Sequence, residues 1–188
     1  MAEPYSPIFL IGYMACGKTT LGRAVAACAD ISFIDLDEAV EQAAGMTVSE
    51  IFATMGEDTF RRMESETLAS LAAARPGRRM LVACGGGTPC HGRNMELMLA
   101  SGTVVWLDAC RDITLRRLEE AMSTRPLVAG KTRDELETFV DANLAARMPF
   151  YSRAHLRFDS SRLDTPGEIA DTTARFLQLL RLPPIPNF

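Results

Sequence analysis

Gly12-Tyr13-Met14-Ala15-Cys16-Gly17-Lys18-Thr19 has the spacing G-x-x-x-x-G-K-[ST], and each residue type in that pattern suits capture of a phosphate chain. Backbone N–H groups from Ala15 to Thr20 fall at the start of a helix, where the first amides have no intrahelical partner and the dipole favours an anion. Gly17 lets a phosphate come close to the backbone, and the run of amides forms an anion nest. Lys18 adds a cation for the β- and γ-phosphates, and the Thr19 hydroxyl is a ligand for Mg²⁺. The loop therefore reads as a nucleoside triphosphate site. It leaves the phosphate acceptor open.

Four further groups of residues bear on the acceptor. Asp35-Leu36-Asp37 ends an apolar run, and alternation puts both carboxylates on one face of an extended segment. One acid could hold the water shell of a metal while the other orients an acceptor hydroxyl; equally, either could cap the helix that follows. Arg61 and Glu64 lie three apart on one helix face, so the acid could hold the guanidinium ready for a carboxylate ligand, or the two could form a plain surface ion pair. Gly85-Gly86-Gly87 allows a ligand to touch the backbone and also suits a simple turn. Arg125-Pro126-Leu127 sits in a loop suited to a lid arginine, and Arg147 precedes Pro149-Phe150-Tyr151, where it could make a second anionic contact. Taken singly, either arginine could be an ordinary surface residue.

These residues need a scaffold of alternating strands and helices. Apolar, β-branched runs predict strands at 8–11, 31–37, 79–84, 103–107 and 156–159. Helical periodicity predicts helices from about 19 and over 38–44, 47–55, 57–74, 94–100, 111–122, 133–151 and 166–180. Thr47 with Glu50 forms a capping box, and Gly45, Gly56 and Gly102 stop helices. Trp106 lies in an apolar run and reads as core. The proline-rich tail 182–188 is expected to fray. Strand–helix alternation implies a mostly parallel sheet covered on both faces.

The 188 residues suffice for one domain, with no repeat or interdomain linker. A net charge of −4 gives no electrostatic case for nucleic acid or an anionic membrane, and no segment approaches transmembrane length. Five cysteines without C-x-x-C spacing read as reduced thiols of a cytoplasmic protein rather than a disulfide framework or zinc site. The N-terminal apolar run lacks a basic leader and is interrupted too soon for a secretory signal.

In their order, GYMACGKTTLG, FIDLD, GMTVSEIFATMGEDTFRRME, CGGGTPC, RPL and RMPFY resemble the shikimate kinase family, within the nucleoside monophosphate kinase-like P-loop group, over residues 8–168. The resemblance implies a single three-layer α/β/α domain with a five-stranded parallel sheet ordered 2-3-1-4-5, a substrate-binding region at about 36–64 and a lid at about 122–132. It implies transfer of the ATP γ-phosphate to the 3-hydroxyl of shikimate, with Mg²⁺, in a monomer. ATP would be held by Met14, Ala15, Cys16, Gly17, Lys18, Thr19 and Thr20, with Mg²⁺ on Thr19 directly and on Asp35 through water. Lys18, Asp37 and Arg125 would be catalytic, Asp37 orienting or deprotonating the attacking hydroxyl and Arg125 facing the phosphates from the lid. Shikimate would meet Asp37, Arg61, Arg147 and Gly85, Gly86 and Gly87, with both arginines on its carboxylate and Glu64 bracing Arg61. Phe52, Phe60, Pro126 and Leu127 would line the apolar side. Adenine would lie between Arg117 (Arg116 being the alternative) and Pro166.

Two departures stand out. Many relatives carry glycine where this chain has Ala15, and the stretch 160–165 is one residue off the family's spacing. Gluconate and nucleotide kinases share the loop and sheet. A GTP-dependent switch would also use the loop, and Asp164-Thr165-Pro166-Gly167 matches D-x-x-G, but the chain has no N-K-x-D segment to read guanine.

Overall fold

A computed structural model describes residues 6–74, 79–122 and 128–182. The strands are β1 (Ile8–Ile11), β2 (Ile31–Asp35), β3 (Arg79–Ala83), β4 (Thr103–Asp108) and β5 (Leu156–Asp159). All pair in parallel, in the order β2-β3-β1-β4-β5. The helices are α1 (Lys18–Cys28), α2 (Leu36–Ala44), α3 (Val48–Met55), α4 (Glu57–Ala73), α5 (Asn94–Ser101), α6 (Arg111–Glu120), α7 (Arg133–Tyr151) and α8 (Pro166–Leu180), with a 3₁₀ turn at Thr88–Cys90.

Strand alternation builds the two cores. Ile8 and Leu10 of β1 pack with Leu21 and Val25 of α1 and Phe176 of α8 on one face. Phe9 and Ile11 point the other way, into a cluster with Leu68 of α4, Met98 of α5 and Val140 of α7. β1 is buried along its whole length because it is central and covered on both faces, which is why it reads as an unbroken apolar run. Trp106 is a core residue, its ring 6.0 Å from that of Tyr151. A small third cluster of Val40, Ile51 and Phe60 ties α2, α3 and α4 together.

Local signals acted as the sequence implies. Thr47 and Glu50 make the reciprocal capping box of α3, and Gly45 ends α2 in the left-handed region at φ 67°. Two expectations need correction. The extended run 31–37 stops at Asp35: α2 begins at Leu36, and Asp35 caps it by accepting from the Asp37 amide at 3.1 Å. The carboxylates thus belong to a cap and a first helical turn, not to one face of a strand, since a cap satisfies a helix amide that an extended segment would leave unpaired. At the other end Leu182 is buried in the α1/α8 cluster and not frayed; the tail beyond it lies outside the described residues. Among the described residues no helix is long and apolar enough to cross a membrane.

The sheet order sets the site. β1 has β3 on one side and β4 on the other, so the chain reverses direction of travel across the sheet there, and such a switch point opens a crevice at the strands' carboxyl ends. The loops after β1, β2 and β3 meet in it.

Candidate active site

A cleft of about 560 Å³ lies at that crevice, lined by Lys18 and Thr19 of the phosphate loop, Asp35 and Asp37 after β2, and Gly85 and Gly86 after β3. Met14, Ala15, Gly17 and Thr20 also line it. Cys16 does not: its thiol is buried, and its amide turns inward to the Tyr13 carbonyl at 3.3 Å, closing the loop's own turn. Lys18 Nζ donates to the Gly12 and Tyr13 carbonyls at 2.9 and 3.0 Å, so the ammonium is held against its own loop. Thr19 Oγ1 donates to Asp35 Oδ2 at 2.8 Å. Together these give a hydroxyl and a carboxylate side by side at the start of α1, an all-oxygen pair suited to a hard cation that takes its remaining ligands from phosphate and water.

The triglycine turn is the floor against which the other groups are set. A Cβ on Gly85 would lie 2.8 Å from Glu64 Oε1 and 3.3 Å from Asp37 Oδ1. A Cβ on Gly86 would lie 3.0 Å from Arg147 Nη1, and one on Gly87 3.0 Å from Arg61 Nη2. Two guanidiniums and two carboxylates from α2, α4 and α7 therefore press on consecutive bare backbone positions. A side chain at any of the three would displace the group above it.

Arg61 is fixed from its own helix. Its Nη1 donates to Glu64 Oε2 at 3.0 Å and its Nε and Nη2 reach Glu57 Oε1 at 3.3 and 3.2 Å. Glu64 is 0% exposed, and its second oxygen accepts from the Thr88 hydroxyl. Buried charge is tolerated only when paired and hydrogen-bonded, and here both carboxylate oxygens are. The Arg61–Glu64 pair is thus a buried brace and not a surface ion pair. Arg147 has no carboxylate partner among the described residues; its guanidinium lies over the Tyr13 ring, 5.2 Å from the centroid. One turn on, the Tyr151 hydroxyl donates to the Gly86 carbonyl at 2.5 Å and anchors the turn beneath Arg147. Burial pushes the Tyr13 phenol up to about 12.

Among the described carboxyl groups with a displaced pKa, Asp37 is the one pushed upward. Its carboxyl is pushed from 3.8 up to about 6, chiefly by burial and then by the neighbouring charges of Asp35 and Glu64, with Lys18 and Arg61 opposing. A carboxylate held near neutrality beside a phosphate loop is suited to take a proton or orient a hydroxyl.

Other positions named from the sequence fall differently. Phe52 and Phe60 stack at 4.8 Å, with Arg61 over the Phe60 ring, at the arginine end rather than in the triphosphate cleft. Pro166 is the first residue of α8 and does not line the cleft; Leu163 and Asp164 stand there instead, because Thr165 caps α8 and fixes Pro166 within its first turn. Of the two arginines on α6 considered for adenine, Arg117 lines the cleft, whereas Arg116 does not and pairs with Glu120 and Asp164. Asp164, first residue of the D-x-x-G match, accepts from both of these arginines. Arg125, Pro126 and Leu127 lie outside the described residues. Thr88, Tyr151 and Leu163 were not legible as site residues, and Asp164 only as the start of D-x-x-G; Tyr151, four residues from Arg147 on one helix face, had a spacing signal.

The family model and the relatives at 30% identity or above point to one family. A family model described as shikimate kinase matches residues 14–178. A shikimate kinase from Parabacteroides distasonis is 39% identical over 173 residues, 92% of this chain and 98% of the relative. A 1.7 Å crystal structure of shikimate kinase from Bacteroides thetaiotaomicron superposes with a TM-score of 0.87 at 39% identity, covering 94% of this chain and 99% of that one. Shikimate kinase from Acinetobacter baumannii in complex with shikimate gives a TM-score of 0.78 at 30% identity, covering 95% and 94%.

Proposed function

The chain belongs to the shikimate kinase family, and from that premise we propose that the cleft transfers the γ-phosphate of ATP to the 3-hydroxyl of shikimate, giving shikimate 3-phosphate and ADP. The observation that carries this reading is the triglycine floor, which gathers Asp37, Arg61 and Arg147 beside the phosphate loop. An alcohol acceptor bearing a carboxylate needs a base and a cationic clamp in that relation.

In this reading the amides of Ala15 and of Gly17 to Thr20, with the Lys18 ammonium, hold the phosphates, Lys18 leaving its loop carbonyls for them while the Cys16 amide stays on Tyr13. The Thr19 hydroxyl, and Asp35 through water, would hold Mg²⁺, which when bound would supply neutralisation of the phosphate charge. Asp37, ionised above its raised value, accepts the hydrogen bond of the attacking hydroxyl and takes its proton. Arg61 and Arg147 receive the carboxylate of shikimate, and the Glu64–Thr88 link keeps Arg61 from rotating away. Phe52 and Phe60 form the apolar border, with Pro126 and Leu127 from the lid at 122–132. Arg125 closes on the phosphates and excludes water, which suppresses futile ATP hydrolysis. Arg117 takes the adenine side. The protein is one domain with its substrate region at about 36–64, acting as a cytoplasmic monomer.

The test is a coupled assay of ADP release with shikimate, gluconate and AMP as acceptors. Stimulation by shikimate alone is the expected result. Stimulation by gluconate or AMP instead, or slow GTP hydrolysis indifferent to all three, would overturn it.

A further inference from the structure

Within the phosphate loop, Ala15 stands at φ 61°, a left-handed conformation that residues other than glycine avoid. The structure around it must hold it there. The Ala15 carbonyl accepts from Arg117 Nη1 at 3.3 Å. The same guanidinium is fixed by three other acceptors: Asp164 Oδ1 at 2.8 Å, the Ser160 carbonyl at 3.3 Å and the Ser161 carbonyl at 2.8 Å. Arg117 is therefore immobilised in its own plane, with only 11% of its side chain exposed. A second contact joins the same segments: Leu163 packs so closely over Gly17 that a Cβ there would lie 2.4 Å from its Cδ1.

We propose that Arg117, locked by Asp164 and the 160–161 carbonyls, is a positioning residue that holds Ala15 in the left-handed conformation and so keeps the phosphate loop in its anion-binding shape. This rests on the reading of the loop as the ATP site and adds a role distinct from presenting a face to adenine. Glycine at this position would reach the same φ at no steric cost and need no clamp; alanine, with its Cβ, depends on one.

Arg117→Met tests it, because the substitution keeps an apolar surface and removes every N–H donor. In the full-length protein its KM for ATP should rise about tenfold with KM for shikimate within about twofold, and adding Ala15→Gly should return KM for ATP to within about threefold of the Ala15→Gly parent. Equal losses with and without the Ala15→Gly change, or no change in KM for ATP, would overturn the proposal. A readout independent of the reaction separates it from the functional reading. In nucleotide-free Arg117→Met, backbone NMR couplings should place Ala15 at negative φ, whereas retention of positive φ would refute the clamp even if ATP and shikimate are the substrates. If the wild-type protein does not turn over shikimate, that same NMR comparison still decides the clamp.

Discussion

Asp37 carries the most specific chemistry of any single residue. Burial and the charges of Asp35 and Glu64 raise its carboxyl to about 6, so kcat/KM for shikimate should fall about tenfold per unit as pH drops below 6. An acid limb near pH 4 would remove Asp37 as the group responsible. The same shift has a stability consequence of definite sign. A carboxyl whose folded value lies above its ordinary 3.8 favours folding while protonated, fully so below about pH 4, and that contribution is lost as pH rises through 6. Asp37→Asn should therefore abolish most turnover yet unfold at higher urea, by roughly 2 kcal/mol at pH 8. Arg61→Lys tests the clamp at the same scale. Lysine cannot hold Glu57, Glu64 and a bidentate ligand together, so KM for shikimate should rise about tenfold with KM for ATP within about twofold. Equal increases in both constants would speak against a carboxylate clamp.

At the scale of elements, the glycines divide into those that shape the site and those that shape the fold. Gly86→Ala would put a Cβ 3.0 Å from the Arg147 guanidinium, which can yield, whereas Gly22→Ala would meet the Phe33 ring at 2.2 Å, between α1 and β2. Gly86→Ala should raise KM for shikimate with stability within about 0.5 kcal/mol, and Gly22→Ala should destabilise by about 1–3 kcal/mol with both KM values kept. Calorimetry with steady-state kinetics on the two variants checks the contrast. Elements themselves were largely legible: α7 and α8, β1 and β5 follow the periodicity residue for residue. The failure at Asp35–Asp37 has a physical origin, because D-L-D satisfies an alternating strand and an N-cap with first-turn acid equally well. What decides between them is where β2 stops pairing with β3, the last pair being Asp35 with Ala83, and that is a tertiary outcome.

For the whole molecule, parallel order β2-β3-β1-β4-β5 brings three loops together that are far apart in the chain, and the resemblance implied that order while composition and periodicity gave only parallel pairing. What no local pattern could reveal is contact across elements: Tyr151 on the triglycine turn, Thr88 on Glu64, Asp164 on Arg117. Ligands should stabilise this assembly from two sides. With ADP or shikimate each at 100 times Kd, linkage predicts about 2.7 kcal/mol of stabilisation, a rise in Tm of roughly 5–10 °C. Arg61→Lys, compared with wild type at one fixed shikimate concentration, should blunt the shikimate shift and keep the ADP shift. The most direct measurement of the central claim is the identity of the product when the protein is given MgATP and shikimate. Phosphorus–proton correlation NMR should show a phosphomonoester coupled to the proton on carbon 3 of shikimate, formed in step with ADP. ADP accumulating with inorganic phosphate and unmodified shikimate, or a phosphoryl group on another hydroxyl, would contradict it.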